Sequence, residues 1–352
     1  MKVKLIAVAA MALLAVGTAT ADAQCPSNVG GVNIVEVPAG QDVYTSVPYT
    51  QPCDGEFTVQ TKTGSGVTVT GPLDDDEYAG LYYVRFTDGD AEGRWSTITS
   101  NTATELVLED TSFLADVSAT DTFRVFAHQT LASVFPDGED DEYNLNFKGY
   151  SFEESSSPFI RATEILFPDE DTTDINKAPA ETYYYYNGAW RKVGELATVS
   201  FDDTIISPDR FFTIRNNGDE DLTFLTYGRV PMVAGQMATQ TRDLETDSAD
   251  NDIAAVTGRG IATTLADLDL GGTDAFATSA SPFLRADELF VYDNTDTDIN
   301  GSPKWTYYYY NGHWRRVGEL ATESFDDEVL PAGTALKIRK AGGTPDTNEW
   351  SH

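Results

Sequence analysis

Hydrophobic residues in this chain alternate with polar ones or gather in short aromatic and β-branched runs that end at turn-forming residues. Residues 82–87, 123–126, 211–215 and 222–226 show these patterns, and no long stretch after residue 23 keeps the 3.6-residue period of an amphipathic helix. Period-two alternation is typical of a strand with one face in a core. The sequence therefore predicts an all-β protein of tandem sandwich-like or barrel-like modules, built from short antiparallel strands and hairpins.

A long segment of the chain is repeated at a fixed offset of 124 residues. Without a gap, residues 157–215 match residues 281–339 at 33 of 59 positions. A weaker likeness joins residues 130–133 to residues 264–267 at an offset of 134, so the copies differ by insertions upstream of the well-matched part. Two copies are too few for a solenoid, so tandem domains are expected. The expected division is a signal peptide at 1–23, an N-terminal β-domain at 24–150, and repeat modules at 151–235 and 236–352.

Each copy contains a β-hairpin whose register the sequence defines. Asn187-Gly188 and Asn311-Gly312 suit the two central positions of a type I′ turn, where both residues need a positive φ. Such a turn places successive tyrosines on opposite faces of the hairpin. One face carries Tyr183, Tyr185 and Trp190 in the first copy, and Tyr307, Tyr309 and Trp314 in the second. The other face carries Tyr184, Tyr186 and Arg191, and Tyr308, Tyr310 and Arg315.

These aromatic faces allow two interpretations. An exposed face stacks on sugar rings and serves as a glycan-binding platform, whereas a buried face is the core of a small β-domain. Because a hairpin has two faces, one face can be core and the other exposed. The candidate glycan-binding residues are Tyr184, Tyr186, Arg191, Tyr308, Tyr310 and Arg315.

Acidic loops within the repeats are candidate calcium sites. Calcium takes about six to eight oxygen ligands, which loops of this kind supply. Neither loop has the full EF-hand pattern, so a solvated acidic loop is the alternative. The candidate ligands are Asp169, Asp174 and Asn176 in the first copy, and Asp293, Asp298 and Asn300 in the second.

The first 23 residues have the features of an export signal. Lys2 and Lys4 precede a short apolar run, and Ala21-Asp22-Ala23 has the form of a cleavage site. We therefore expect the protein in the periplasm, at the cell surface or outside the cell, with no membrane anchor. In such a compartment Cys25 and Cys53, the only cysteines, are expected to form a structural disulfide.

The charge of the chain excludes one class of partner. Its 57 acidic residues against 23 basic ones give a formal net charge of -34. A nucleic-acid-binding protein needs a surface that neutralises phosphates, which this composition does not supply. The expected partners are polysaccharide or other surface proteins, and no nucleic acid.

The sequence gives little indication of catalytic activity. The chain has three histidines, and it lacks the nucleophile-elbow, zinc-protease and phosphate-loop patterns. The leading hypothesis is an exported, acidic, non-catalytic β-protein with a structural or cell-surface and matrix interaction role, for which calcium is the one candidate cofactor. The alternative is a glycan-binding module, and after it a carbohydrate-active hydrolase, whose paired carboxylates need no visible motif.

Two motifs that occur in both copies of the repeat resemble those of a protein family. The pattern Tyr-Tyr-Tyr-Tyr-Asn-Gly-x-Trp-Arg-[Lys/Arg]-Val-Gly stands at 183–194 and 307–318, and Ser-Pro-Phe-[Ile/Leu]-Arg at 157–161 and 281–285. Both resemble an uncharacterised family of exported bacterial proteins, across nearly all of the chain after residue 23. The resemblance implies an exported, modular protein outside the cytoplasm, and it implies no activity, cofactor or binding residue.

Overall fold

The computed structural model describes residues 25, 29–136, 152–233, 236–244, 249–292, 294, 298–342 and 349–352. Within these ranges the chain is built of β-strands with three very short helices, which confirms the predicted all-β class. The predicted signal peptide lies outside the described residues. The strands of the N-terminal part are β1 (Gly30–Val37), β2 (Asp42–Thr45), β3 (Cys53–Lys62), β4 (Gly66–Val69), β5 (Tyr82–Phe86), β6 (Trp95–Asn101), β7 (Glu105–Leu108), β8 (Thr122–Ala127) and β9 (Gln129–Thr130).

The repeats follow a single short α-helix, α1 (Leu131–Val134), and the two 3₁₀ helices are Ser112–Ala115 and Ala266–Leu268. The first repeat contains β10 (Thr163–Pro168), β11 (Pro179–Tyr186), β12 (Ala189–Lys192), β13 (Ile205–Ile206), β14 (Phe212–Asn216), β15 (Leu222–Arg229) and β16 (Met232–Val233), and β17 (Gln236–Met237) pairs with β16 just beyond the expected boundary at residue 235. The second contains β18 (Thr241–Asp243), β19 (Asn251–Val256), β20 (Thr263–Thr264), β21 (Glu288–Val291), β22 (Trp305–Tyr310), β23 (His313–Arg316), β24 (Val329–Leu330), β25 (Ala335–Lys340) and β26 (Glu349–Ser351).

Strands β3 to β8 close into a six-stranded barrel in the order β3-β4-β7-β6-β5-β8. Apolar side chains from alternate positions fill its interior, among them Val84, Phe86, Ile98 and Phe123. Full burial of a side chain of this size is worth roughly 1.5–3 kcal/mol, so the barrel has a core of its own. Cys25 and Cys53 form a disulfide, with Cα atoms 5.9 Å apart, at the start of β3.

The first module is a sandwich of a five-stranded antiparallel sheet and a two-stranded ribbon. The sheet has the order β12-β11-β10-β14-β2, and β1 pairs with β15 to form the ribbon. Val37 of β1 and Phe224 of β15 pack in one core with Ile165 and Trp190 of the sheet. Strands β1 and β2 lie within residues 24–150, which the sequence analysis assigned to a separate domain, and here they pair with strands of the first repeat.

The second module has the same architecture. Its sheet has the order β19-β25-β21-β22-β23, and the ribbon is formed by β18 and β26. Leu244 and Trp350 from this ribbon pack on Tyr307 and Trp314 of the sheet. The two cores are thus built alike, and in each module the ribbon joins the strand before the first strand of the sheet to the strand after its last one.

The barrel is an insertion into the first module. Two strand pairings, one made by β2 or β19 and one made by β9 or β20, have the same register in both modules. In the first module the whole barrel lies in the chain between β2 and β9, whereas in the second module only the loop 257–262 lies between β19 and β20. This arrangement explains why the sequence likeness is broken upstream of the well-matched part. The pairings are Asp42 with Arg215 and Thr130 with Ile205 in the first module, and Asp252 with Arg339 and Thr264 with Val329 in the second.

Both tyrosine hairpins have the predicted register and turn. Tyr183 to Tyr186 pair with Lys192 to Ala189, and the second copy repeats this pairing. The turn residues all have positive φ: 50° at Asn187, 72° at Gly188, 53° at Asn311 and 80° at Gly312. In the part of the chain that the structure describes, no helix is long and apolar enough to cross a bilayer.

Candidate functional site

The acidic loop of the first module reaches across to the second module. The backbone N–H of Asn176 donates a hydrogen bond of 2.8 Å to Oδ2 of Asp252, and its Oδ1 accepts one of 3.0 Å from Nη2 of Arg339. The backbone N–H of Asp252 in turn donates to the carbonyl of Asp174 at 2.9 Å. Asp174 and Asn176 therefore anchor one module to the other.

The corresponding loop of the second module makes the reciprocal contact. The backbone N–H of Asn300 donates to Oδ2 of Asp42 at 2.7 Å, and its Oδ1 accepts from Nη2 of Arg215 at 2.7 Å. The exchange of equivalent contacts in both directions makes the junction pseudo-two-fold, as in an isologous dimer interface. We name it the reciprocal junction.

Each half of the reciprocal junction contains a buried aspartate that makes a bidentate ion pair with an arginine. Nε and Nη2 of Arg339 donate to the two carboxylate oxygens of Asp252 at 2.7 and 3.0 Å. Burial raises the pKa of Asp252, but the hydrogen bonds from Arg339 and from the Asn176 backbone outweigh burial and hold that pKa below its usual value. The carboxylate of Asp252 thus stays ionised as a structural partner of Arg339. Nε and Nη2 of Arg215 donate to the two carboxylate oxygens of Asp42 at 2.7 and 2.8 Å, which is the same two-pronged geometry.

An aromatic contact fills the centre of the junction. The rings of Tyr44 and Tyr292 stack with centroids 4.0 Å apart, and they line a cavity of about 440 Å³ between the modules. Burial and the nearby Asp42 raise the pKa of Tyr44 to about 12, so its hydroxyl stays protonated and donates to the carbonyl of Gly301 at 3.0 Å. The cavity wall also carries Lys337, which burial keeps at a lowered pKa.

The candidate calcium ligands in the described residues take part in hydrogen bonds within the protein. The carboxylate of Asp169 accepts hydrogen bonds from the Asp171 and Thr172 backbone and from the Thr172 hydroxyl within its own loop. Asp298 accepts the Gly301 N–H through its carbonyl at 2.9 Å, and Asp293 lies outside the described residues. Over the described ranges, no three His, Cys, Asp or Glu side chains are placed together to hold a metal ion. Calcium binding by these loops stays a prediction.

The candidate glycan-binding residues are mostly covered. Tyr184 and Tyr308 are 2% exposed, and Arg191 and Arg315 are buried as well. The two tyrosines lie beneath arginines of the Ser-Pro-Phe motif, whose Cζ atoms are 5.8 and 6.0 Å from the ring centroids. Of the predicted set, only Tyr186 and Tyr310 retain partial exposure, so neither hairpin offers a sugar ring an open face of several aromatic side chains.

The residues that the Ser-Pro-Phe motif exposes were not among the predicted site residues. Phe159 and Phe283 are each 91% exposed, and the next residues, Ile160 and Leu284, are 69% and 71% exposed. We call residues 157–161 and 281–285 the two tips. In each copy the two adjacent apolar side chains form a small exposed patch, and contiguous exposed apolar patches mark interaction sites.

The tips are held in one conformation by their own side chains. Oγ of Ser157 accepts the N–H groups of Phe159 and Ile160 at 3.3 and 3.1 Å. Arg161 pairs with Glu164 and donates to the carbonyl of Pro158 at 3.2 Å. The second tip repeats every one of these contacts. The backbone that carries the apolar pair is therefore preorganised, which lowers the cost of ordering it on binding.

A second repeated loop lies beside each hairpin and also displays an apolar side chain. Leu196 and Leu320, in the Val-Gly-Glu-Leu-Ala-Thr motif, are 73% and 74% exposed. Further along this loop, Asp202 and Asp326 accept the N–H groups of Trp190 and Trp314 at 2.8 Å and so cap the outer strands β12 and β23. The carbonyls of the two tryptophans accept the N–H groups of Phe201 and Phe325, so this part of each edge is already paired and is not available for strand addition. The tips and these leucines are more exposed than the valines of the same loops.

The fold and its tips define an all-β protein of two sandwich modules with an inserted barrel. The chain matches no protein-family model, no curated protein and no solved structure.

Proposed function

We propose that this chain is an exported, acidic, non-catalytic β-protein that acts as a two-ended connector between protein partners of the cell surface or matrix. The observation that carries the proposal is the pair of tips, which display the same apolar residues at nearly the same exposure in both copies. Packing within the module gives no reason for this exposure, since a phenylalanine in a core or under a loop would be covered.

The position of the tips supports a two-ended role. In the first module, β10 begins just after the tip and ends just before the loop that enters the reciprocal junction. At about 3.3 Å per residue, this six-residue strand separates tip and junction by roughly 20 Å. β21 is placed in the same way between tip and junction in the second module. The junction therefore joins the modules back to back, with the tips at their far ends.

Two equivalent ends on one chain raise the avidity for a partner that presents repeated sites. The contacts that fix each tip lower the entropy cost of docking. The net charge of -34 keeps such a connector soluble before it meets its partner.

Photo-crosslinking in cells that export the protein tests the proposal. Benzoylphenylalanine replaces Phe159 in one variant and Phe283 in another, and Leu81, a partly exposed apolar residue of the barrel that has no counterpart in the repeats, in the control. We expect discrete protein adducts from both tip positions and none from the control position. Both tip side chains are exposed, so neither variant should lower the melting temperature.

The outcomes separate the hypotheses. Absence of adducts from both tips, or adducts equal to those at Leu81, would overturn the connector proposal. Adducts to polysaccharide alone would also overturn it and favour the glycan-binding alternative. Phe159→Ser combined with Phe283→Ser should abolish co-purification of whichever protein is crosslinked, while each single substitution should leave weaker, one-ended binding.

A further inference from the structure

The first tip lies beside a cavity of about 710 Å³. Ile160 and Arg161 of the tip line one side of this cavity, and the loop between β14 and β15, residues 217–221, lines the other. The backbone N–H of Asn217 donates to the carbonyl of Ala162 at 2.8 Å, which holds the loop against the chain that follows the tip. An exposed apolar residue of the tip therefore borders a concave surface.

Carboxylates surround this cavity. Five of the residues that line it are acidic and exposed, and we call them the acidic rim: Glu153, Glu154, Asp219, Glu220 and Asp221. The one basic residue of the lining, Arg161, already pairs with Glu164. The cavity wall therefore carries an excess of negative charge next to the apolar side chain of Ile160.

Hydrogen bonds to the backbone hold the acidic rim in place. The carboxylates of Glu154 and Asp221 each accept a backbone N–H from another segment, at 2.7 and 2.9 Å. The side-chain amide of Asn216, which is fully buried, donates to the carbonyl of Glu220 at 2.8 Å. The loop that carries half of the rim is thus ordered before any partner binds, which lowers the cost of binding.

The second copy is uncharged at all five positions of the acidic rim. At the offset of 124 residues it has Ala277, Thr278, Gly343, Thr344 and Pro345, the last three of which lie outside the described residues. The N–H groups of Ser155 and Ser279, next to the first two positions, donate to the carbonyls of Tyr185 and Tyr309 at 2.9 and 2.8 Å, so the backbones correspond here. The overall acidity of the chain does not explain a difference between its own two copies.

The arrangement of the rim favours side-chain cations over a metal ion. In the part of the chain that the structure describes, no three carboxylates are placed together to hold a metal ion. Carboxylates spread around an apolar contact fit lysine and arginine side chains, which lay their apolar stems on a surface and keep their charged ends in water. Complementary charge of this kind speeds association and discriminates between partners.

We propose that the first tip selects a basic protein segment, in which an apolar side chain docks on Phe159 and Ile160 while flanking lysine or arginine side chains meet the acidic rim. This inference rests on the proposed connector function and names the chemistry of one of its partners. The second tip makes the same apolar contact without this selection for charge. The two ends of the connector thus share an apolar contact and differ in the charge of the partner that each takes.

Fluorescence anisotropy with two labelled peptides tests the proposal. Both have leucine and phenylalanine at the centre, flanked by lysines in one peptide and by glutamates in the other. The rim variant combines Glu153→Gln, Glu154→Gln, Asp219→Asn and Glu220→Gln. The matched control variant makes the same change in net charge in an exposed acidic run between β4 and β5, with Asp74→Asn, Asp75→Asn, Asp76→Asn and Glu77→Gln. At low ionic strength the rim variant should bind the lysine peptide about tenfold more weakly than the wild type, and the control variant nearly as tightly as the wild type.

Substitutions at the tips locate the binding site. Phe159→Ser with Ile160→Ser should weaken binding of the lysine peptide, and Phe283→Ser with Leu284→Ser should change it far less. Equal losses in the rim and control variants would indicate general attraction to an acidic protein and overturn the proposal. Equal binding of the glutamate peptide, or displacement of the lysine peptide by calcium but not by magnesium, would overturn it too. Photo-crosslinking at both tips together with any of these results would retain the connector and remove only its selection for a basic partner.

Discussion

Substitution of the buried ion pair in the second module gives the sharpest test of what stabilises that module. The side chains of Lys340 and Asp287 are 1% and 0% exposed and form an ion pair. Nζ of Lys340 also donates to the carbonyl of Ala275 at 2.6 Å, and Asp287 accepts the N–H groups of Ala277 and Ala341, both at 2.8 Å. The pair therefore links β25 to two neighbouring segments of the module.

The first module shows what can replace this pair. At the positions of Lys340 and Asp287 it has Asn216 and Thr163, which lie opposite each other on β14 and β10 and are fully buried. Lys340→Met removes the cation and leaves a buried carboxylate, which costs about 3–5 kcal/mol. The double variant Lys340→Asn and Asp287→Thr introduces the uncharged pair of the other copy, and we expect it to be more stable than Lys340→Met, because it leaves no unpaired charge in the core.

Urea unfolding followed by tryptophan fluorescence measures these differences. Three of the five tryptophans, Trp305, Trp314 and Trp350, are in the second module, so the signal reports mainly on it. The transition of the second module is fitted separately, since a chain with three cores need not unfold in one step. A loss below about 1 kcal/mol for Lys340→Met, or a double variant as unstable as the single one, would refute the reasoning.

Three further predictions concern the disulfide, pH and calcium. Cys25→Ser with Cys53→Ser should lower the free energy of unfolding by about 3–4 kcal/mol, because the bridge closes a loop of 28 positions; reductant should reproduce the loss in urea melts of the wild type. Burial lowers the pKa of His128 from 6.5 to about 4, so the unfolded chain binds more protons between these values and stability falls as pH falls from 6.5 to 4. His128→Phe should remove roughly 3 kcal/mol of that pH dependence, and an unchanged profile would contradict the assignment. The predicted calcium sites require the melting midpoint to rise with calcium and not with magnesium; because the side-chain oxygens of Asn176 and Asn300 already accept hydrogen bonds from arginines, an equal shift with both ions would leave the loops with the reciprocal junction as their only role.

The features that the sequence predicts correctly are local ones. Asn187-Gly188 determines its turn through the φ values that both residues need, and the turn then determines the register of four tyrosines. Alternation along each strand predicts the all-β class in the same way. The duplicated module was visible because most of its two copies align without a gap.

Features that depend on distant segments were beyond the sequence. Nothing near Asn176 or Asn300 indicates that each reaches an arginine of the other module. The inserted barrel separates β2 from the rest of its sheet, so the likeness between Asp42 and Asp252 is hidden.

The solvent exposure of each side chain could not be predicted from the sequence either, and it changes how the repeated residues are interpreted. A retained core residue needs no explanation beyond packing, whereas an exposed apolar residue has no packing partner to preserve it. Val199, 43% exposed, is replaced by Glu323 in the second copy, so an exposed apolar position of this module can change. Phe159 and Leu196, which are more exposed, are identical in both copies, and Ile160 changes only to another apolar residue. This contrast within one chain points to contacts made outside the module, which is why the tips are the first positions to crosslink.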